Sequence, residues 1–199
     1  MKLVILDRDG TINRDSDDYI KSPDEWQALP GALEGIARLT HAGWRVVIAS
    51  NQSGLGRGLF DVAALNAMHA KMNKQLATMG GRIDAVFYCP HTPDDNCRCR
   101  KPLPGLFEQI GQRYGVPLKG VPACGDTVRD VTAGASAGCE PHLVLTGKSS
   151  AFLAGGQPEG LPAGTRLHRD LSAFADFLLE RSTLAGQEPP AAHPAPDLL

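Results

Sequence analysis

Short apolar runs that each stop at a polar, chemistry-bearing residue recur along this chain, and the recurrence limits the folds open to it. LVIL at 3–6 ends at Asp7 and Asp9, and WRVVIAS at 44–50 ends in Ser50. IDAVFY (83–88), VPACGD (121–126) and HLVLTG (142–147) follow the same form. Apolar runs this short read as strands buried on both faces of a parallel sheet. Between them lie segments with helical spacing. PGALEGIARLTHAG sets Leu33, Ile36, Ala37 and Leu39 on one face, with Gly43 placed to stop the helix. Asp61 can cap a helix whose apolar positions are Leu65, Met68, Met72, Leu76 and Met79. Pro104 opens another with Leu106, Phe107, Ile110 and Tyr114; two more are predicted over 129–137 and 171–181. The alternation predicts an α/β fold of three layers, a parallel sheet with helices on both faces.

In such a sheet the carboxyl ends of the strands form the ligand-binding edge, so Asp7, Asp9, Ser50 and Asp126 should converge although they are far apart in sequence. Beyond a strand end, residues i and i+2 can face one small volume, as Asp7 and Asp9 would, with Asp126 and Asp130 of GDTVRD joining them. A single aspartate there is as well explained as a helix or turn cap. Several on one edge repel each other and call for a cation. Mg²⁺ suits them, because it takes one or two carboxylates, keeps waters and binds substrate phosphate.

Composition narrows the classes. A net charge of −2 and 42% hydrophobic residues describe a soluble protein without a basic footprint for nucleic acid or an anionic membrane. No apolar run nears the roughly 20 residues of a membrane span, and the residues before Asp7 are too few for a signal-peptide core. The expectation is a cytoplasmic monomer acting on a small molecule. One domain over 1–182 is predicted, with a disordered tail over 183–199, where Pro and Ala dominate.

DRDGT with Thr11, Ser50 after an apolar strand, Lys101 before Pro102, and GDTVRD resemble, in order, the four motifs of the haloacid dehalogenase superfamily. The resemblance spans roughly residues 1–150 and implies a Rossmann-like fold and phosphatase chemistry. Position by position, it implies Asp7 as nucleophile, forming an aspartyl-phosphate, and Asp9 as general acid and then base. Mg²⁺ would be held by Asp7, Asp126 and the backbone carbonyl of Asp9, with Asp130 standing behind them. Ser50 and Lys101 would hold the phosphoryl oxygens. A dehalogenase would not need the acid at Asp9, whereas splitting a phosphate ester does.

YCPHTPDDNCRCRKP arranges Cys89, His91, Cys97 and Cys99 as C-x-H-x5-C-x-C. Three thiolates and an imidazole form a closed tetrahedral set for structural Zn²⁺. The alternative is a loop of reduced cysteines, but eleven residues with four soft ligands and two prolines do not read as core. A small zinc-binding loop over 89–99 would fix where Arg100 and Lys101 point.

Residues 10–49 and 51–99 are already filled by predicted elements and the cysteine loop, which leaves no room for a cap domain and predicts an open site. With this combination of motifs, the chain is similar to two related capless groups, the phosphatases of a heptose bisphosphate and those of histidinol phosphate. The first group removes the carbon-7 phosphate to leave a heptose 1-phosphate for lipopolysaccharide core (ADP-heptose) synthesis. A second phosphate suits Arg57 and Arg100. The acidic loop RDSDDY, with Asp15 and Asp18, could instead meet sugar hydroxyls or the amine of histidinol. Asn51, Gln52 and Ser53 of SNQSG complete the candidate substrate contacts. GLGRG lacks the third glycine of a dinucleotide site, and no phosphate-binding kinase loop is present. A non-enzymatic zinc-stabilised module would leave the aspartates unexplained.

Overall fold

The computed structural model describes residues 1–185, so the expected tail lies, from 186 onward, outside the described residues. Six strands, β1 (Leu3–Leu6), β2 (Arg45–Asn51), β3 (Ala85–Cys89), β4 (Pro122–Gly125), β5 (Glu140–Val144) and β6 (Arg166–His168), form one sheet in the order β3-β2-β1-β4-β5-β6. All five pairings are parallel. The helices are α1 (Ala32–His41), the single turn α2 (Ser53–Gly56), α3 (Val62–Thr78), α4 (Gly105–Tyr114), α5 (Val128–Ser136) and α6 (Leu171–Ala185).

Strand periodicity explains the layers. Val4 and Leu6 of β1 and Val46 and Ile48 of β2 face a core built with Ile36 of α1, Leu65 and Met72 of α3 and Phe174 of α6. Leu3, Ile5, Val47 and Ala49 face the other side, where Leu106, Phe107 and Ile110 of α4 and Ala133 of α5 cover them. Each fully buried side chain of this size contributes about 1.5–3 kcal/mol. The expected three-layer α/β fold is therefore present. Asp61 caps α3 by accepting from the Ala64 amide at 2.8 Å. Gly43, at φ +82, follows the end of α1, as its spacing predicts.

The chain runs outward through β1, β2 and β3 and then returns to lay β4 on the other side of β1, so strand order reverses between β1 and β4. Side chains leaving the carboxyl ends of these two strands flank the resulting crevice. No further domain interrupts the sheet among the described residues.

Three details differ from the sequence reading. β6 is not predicted, because three residues with Arg166 and Leu167 exposed carry no apolar run; it survives as an edge strand through its register with His142–Val144. Met79 lies past the end of α3 and is 37% exposed, so it does not join Leu76 in the core. α6 continues to Ala185, beyond the boundary expected at 182.

Candidate active site

Local folding begins with the turn after β1. The Arg8 carbonyl accepts from the amides of Thr11, Ile12 and Asn13 at 2.8–3.3 Å, closing the chain tightly behind Asp7. Gly10 makes this possible. Its φ is +86, and a Cβ there would lie 2.3 Å from Asp126 Oδ2, so the position requires glycine for both conformation and space. The turn is thereby seated against the residue that follows β4.

Asp7, Asp126 and Asp130 come together as expected, all buried, with carboxylate oxygens within 4.8 Å of one another. Lys101, 2% exposed, reaches in from the loop before α4. Its ammonium donates to Asp7 Oδ1 at 2.6 Å and to the Ala49 carbonyl at 2.7 Å, and pairs with Asp130 Oδ1 at 2.7 Å. The other oxygen of Asp130 accepts from the Thr127 amide and hydroxyl in a capping box on α5. Asp130 is thus fully engaged inside the protein.

One ammonium does not balance three carboxylates. Burial, with the charges of Asp130 and Asp9 added and Lys101 opposing, pushes Asp7 up to about 7. Burial, Asp130 and Asp7 push Asp126 up to about 9. Asp126 Oδ2 accepts from the Lys148 amide at 2.7 Å, but Oδ1 is buried without a hydrogen-bond partner. An orphaned buried carboxylate oxygen beside two more carboxylates is the environment a hard divalent cation fits.

Asp9 differs in kind. Burial raises its carboxyl, but the charge of Arg8 and hydrogen bonds from Asn13, Arg8 and Gln52 outweigh this and hold it below the ordinary value. Asn13 Nδ2 donates to Oδ1 at 2.9 Å and Gln52 Nε2 to Oδ2 at 2.7 Å.

The remaining candidates divide. Asp15, Asn51, Gln52, Ser53 and Arg100 line the cleft with Asp7, Asp9, Lys101, Asp126 and Asp130. Asn51 also grips the backbone of Lys101, through Nδ2 to its carbonyl and Oδ1 from its amide, at 3.1 and 3.0 Å. Ser50, Arg57 and Asp18 are not among the lining residues. Ser50 is buried, and its hydroxyl accepts at 2.8 Å from Gln52 Nε2, the same amide nitrogen that reaches Asp9. Arg57 sits at the exposed end of the single turn α2. Asp18 is exposed, whereas its neighbours Asp15 and Asp17 line the rim.

Cys89, His91, Cys97 and Cys99 also converge, with sulfur–sulfur distances of 3.2–3.5 Å and His91 Nδ1 at 3.3 Å from Cys99 and 3.6 Å from Cys89. Sulfurs this far apart are not disulfides. Ligands about 2.3 Å from a tetrahedral zinc would stand about 3.8 Å apart, so a modest expansion of the cluster admits the ion.

Comparison with known proteins agrees with this geometry. Residues 98–163 match the HAD-hydrolase-like family model. A D-glycero-beta-D-manno-heptose-1,7-bisphosphate 7-phosphatase from Bordetella bronchiseptica is 61% identical over 92% of this chain and 100% of its own length. One from Pseudomonas aeruginosa is 52% identical, covering 89% of this chain and 98% of that one. The crystal structure of the Bordetella D,D-heptose 1,7-bisphosphate phosphatase, complexed with magnesium and phosphate, superposes with a TM-score of 0.87 over 91% of this chain and 99% of that one. The chain belongs to the heptose-1,7-bisphosphate 7-phosphatase family of HAD-like hydrolases.

Several lining residues of this heptose-bisphosphate phosphatase family member have no sequence signal of their own. Lys148 exchanges ion pairs with Asp17 and, at 3.5 Å, with Asp15, joining the loop after β5 to the acidic loop after β1. Arg129 lines the cleft from α5, and Arg8 from between the two aspartates of DRD. Only long-range contact brings Lys148 to the cleft; Arg8 and Arg129 lie inside quoted motifs as residues the pattern leaves unread.

Proposed function

We propose that this protein hydrolyses the carbon-7 phosphate of D-glycero-beta-D-manno-heptose 1,7-bisphosphate, leaving the phosphate at carbon 1. The observation that carries the reading is the meeting of Asp7 and Asp126 with Lys101 at the reversal point of the sheet. The names of the relatives supply the substrate.

An oxygen of Asp7 attacks phosphorus in line with the leaving carbon-7 oxygen and forms an aspartyl-phosphate. Asp9 is ionised in the empty site, so it takes up a proton as the anionic phosphate binds beside it, gives that proton to the leaving oxygen, and then takes one from the water that hydrolyses the intermediate. Lys101 offers positive charge to the equatorial oxygens from a buried position, where such charge counts more than in water. Ser50 would hold a phosphoryl oxygen with Lys101, and Ser53, which lines the cleft, offers a second hydroxyl. Asp7, Asp126 and the Asp9 carbonyl would hold Mg²⁺, the ion found in the Bordetella structure, and Asp130 would fix Lys101 behind them. When bound, the ion supplies charge neutralisation and polarises the phosphoryl oxygens. Cys89, His91, Cys97 and Cys99 would hold a structural Zn²⁺ that fixes the approach of Arg100 and Lys101. Arg100 and Arg129 on the rim suit the second phosphate.

The acidic loop weighs against histidinol phosphate. Asp15 and Asp17 are paired with Lys148, which leaves less negative charge to receive an amine. The reading includes a cytoplasmic monomer. No helix among the described residues is long and apolar enough to cross a membrane.

The test compares kcat/KM for the heptose bisphosphate and for histidinol phosphate in magnesium, with the Asp7→Asn variant as control. A preference for histidinol phosphate, or retained turnover in Asp7→Asn, overturns the reading.

A further inference from the structure

Arg8 stands between the two aspartates of DRDG and is 1% exposed, a fully buried guanidinium whose neighbours in the motif have roles of their own. Its Nε and Nη2 reach both oxygens of Asp9 at 2.9–3.2 Å. Its remaining terminal nitrogen, Nη1, lies 3.3 Å from Nε2 of His69. His69 comes from the middle of α3, far from every motif in the sequence.

The chemistry of this contact fixes its direction. A guanidinium only donates, so His69 Nε2 accepts and its ring carries its single proton on Nδ1. Burial, and then the charge of Arg8, push His69 down to about 4, which keeps the ring neutral and able to accept. Asn13 and Gln52 already hold one Asp9 oxygen each. Arg8 spans the two, so it sets the plane of the carboxylate as well as its place.

We propose that His69 and Arg8 are positioning residues for Asp9: the α3 imidazole holds the guanidinium, and the guanidinium holds the carboxylate where it meets the leaving oxygen. The inference rests on the acid–base role of Asp9 given above and extends the site to a helix outside its motifs. Neither residue need touch substrate. Their effect should follow how much the leaving group needs a proton. An alkoxide leaving from a sugar carbon needs one; the phenolate of para-nitrophenyl phosphate leaves without it.

The experiment measures kcat and KM on the heptose bisphosphate and on para-nitrophenyl phosphate, for the magnesium-loaded full chain and four variants, with thermal melting as a check on folding. General acid–base catalysis contributes about 100-fold to 10,000-fold, so loosening the acid should cost a fraction of that. Losses are read in kcat/KM, which ends at formation of the aspartyl-phosphate and so leaves out the base step that both substrates share. His69→Leu should lower kcat/KM about tenfold on the sugar phosphate and change it little on the aryl ester. His69→Gln, which keeps an acceptor for Arg8, should recover most of the loss. Arg8→Lys, which keeps charge but not the fork, should lose more on the sugar and still spare the aryl ester. Equal losses on both substrates in His69→Leu, or no loss on either, overturn the proposal. Asp9→Asn separates the layers of the argument: if it loses both substrates equally, the acid role of Asp9 falls and the relay with it. If Asp9→Asn discriminates and His69→Leu does not, the relay alone falls.

Discussion

Replacing Asp126 by Asn should make the metal-free protein more stable while abolishing its activity. Burial, together with Asp130 and Asp7, raises Asp126 from 3.8 to about 9. A raised carboxyl binds protons in the folded state that the unfolded chain has released. Stability of the metal-free protein should therefore fall as pH rises from near 4 to 9. At pH 8 an ordinary aspartate is about four pH units above its ionisation point, and at about 1.4 kcal/mol per unit the cost of burying this one has a ceiling of about 6 kcal/mol. Water entering the cleft and side-chain relaxation reduce that, and about 2 kcal/mol is the gain to expect, which in a chain of this size raises Tm by about 4–8 °C. Asn keeps an acceptor for the Lys148 amide and removes one charge from beside Asp7 and Asp130. The assay is calorimetry of wild type and Asp126→Asn in chelator at pH 5 and pH 8, then in magnesium. The advantage of Asp126→Asn should shrink at pH 5. In magnesium the order should reverse, because a ligand at about 100 times its Kd adds about 2.7 kcal/mol to the protein that binds it. A variant that melts below wild type in chelator at pH 8, or gains as much from magnesium as wild type does, would refute the reasoning.

Lys101→Met leaves Asp7 and Asp130 buried without their counter-charge and should cost about 3–5 kcal/mol, read from denaturant midpoints, along with all measurable turnover. Gly10→Ala drives a Cβ into Asp126 and strains a φ of +86, so magnesium-dependent stabilisation should largely disappear in thermal melts. His142 and His168, hydrogen-bonded at 2.9 Å between β5 and β6, are pushed down to about 3 and about 4, chiefly by burial. The unfolded chain takes up these protons first, so stability is lost as pH falls below 6.5; in magnesium-saturated protein Tm should drop toward pH 4.5, and a His142→Phe, His168→Leu double variant should flatten the slope. Elemental analysis should find one zinc per chain, and none in Cys99→Ser.

Much of the scaffold was legible because burial leaves a period in the sequence. The alternation of Leu3 and Ile5 against Val4 and Leu6 foretells two covered faces, and the spacing of Leu65, Met68, Met72 and Leu76 foretells α3. β6 was not legible, since an edge strand of three residues buries too little to leave a pattern. Asp7, Asp9, Asp126 and Lys101 could be read because motif order and strand ends place them. Ser50 could be read at its strand end, but its link through Gln52 to Asp9 could not, because it depends on how the turn after β2 folds back. Arg57 was read by charge alone, and it sits at the exposed end of α2, outside the lining residues. His69 and Lys148 depend on which loop or helix lies opposite, information that resides in tertiary packing and leaves no local trace.

The middle position of β1 has a consequence for how the protein ages. Every residue of that strand is buried, it is flanked by β2 and β4, and the Asp7 amide is tied to the Cys124 carbonyl at 2.8 Å. Fraying at the margins can open β6 or the cysteine loop without disturbing this strand. Amide exchange at Asp7 should then report only wholesale opening, and heat inactivation should keep step with loss of the whole structure instead of preceding it.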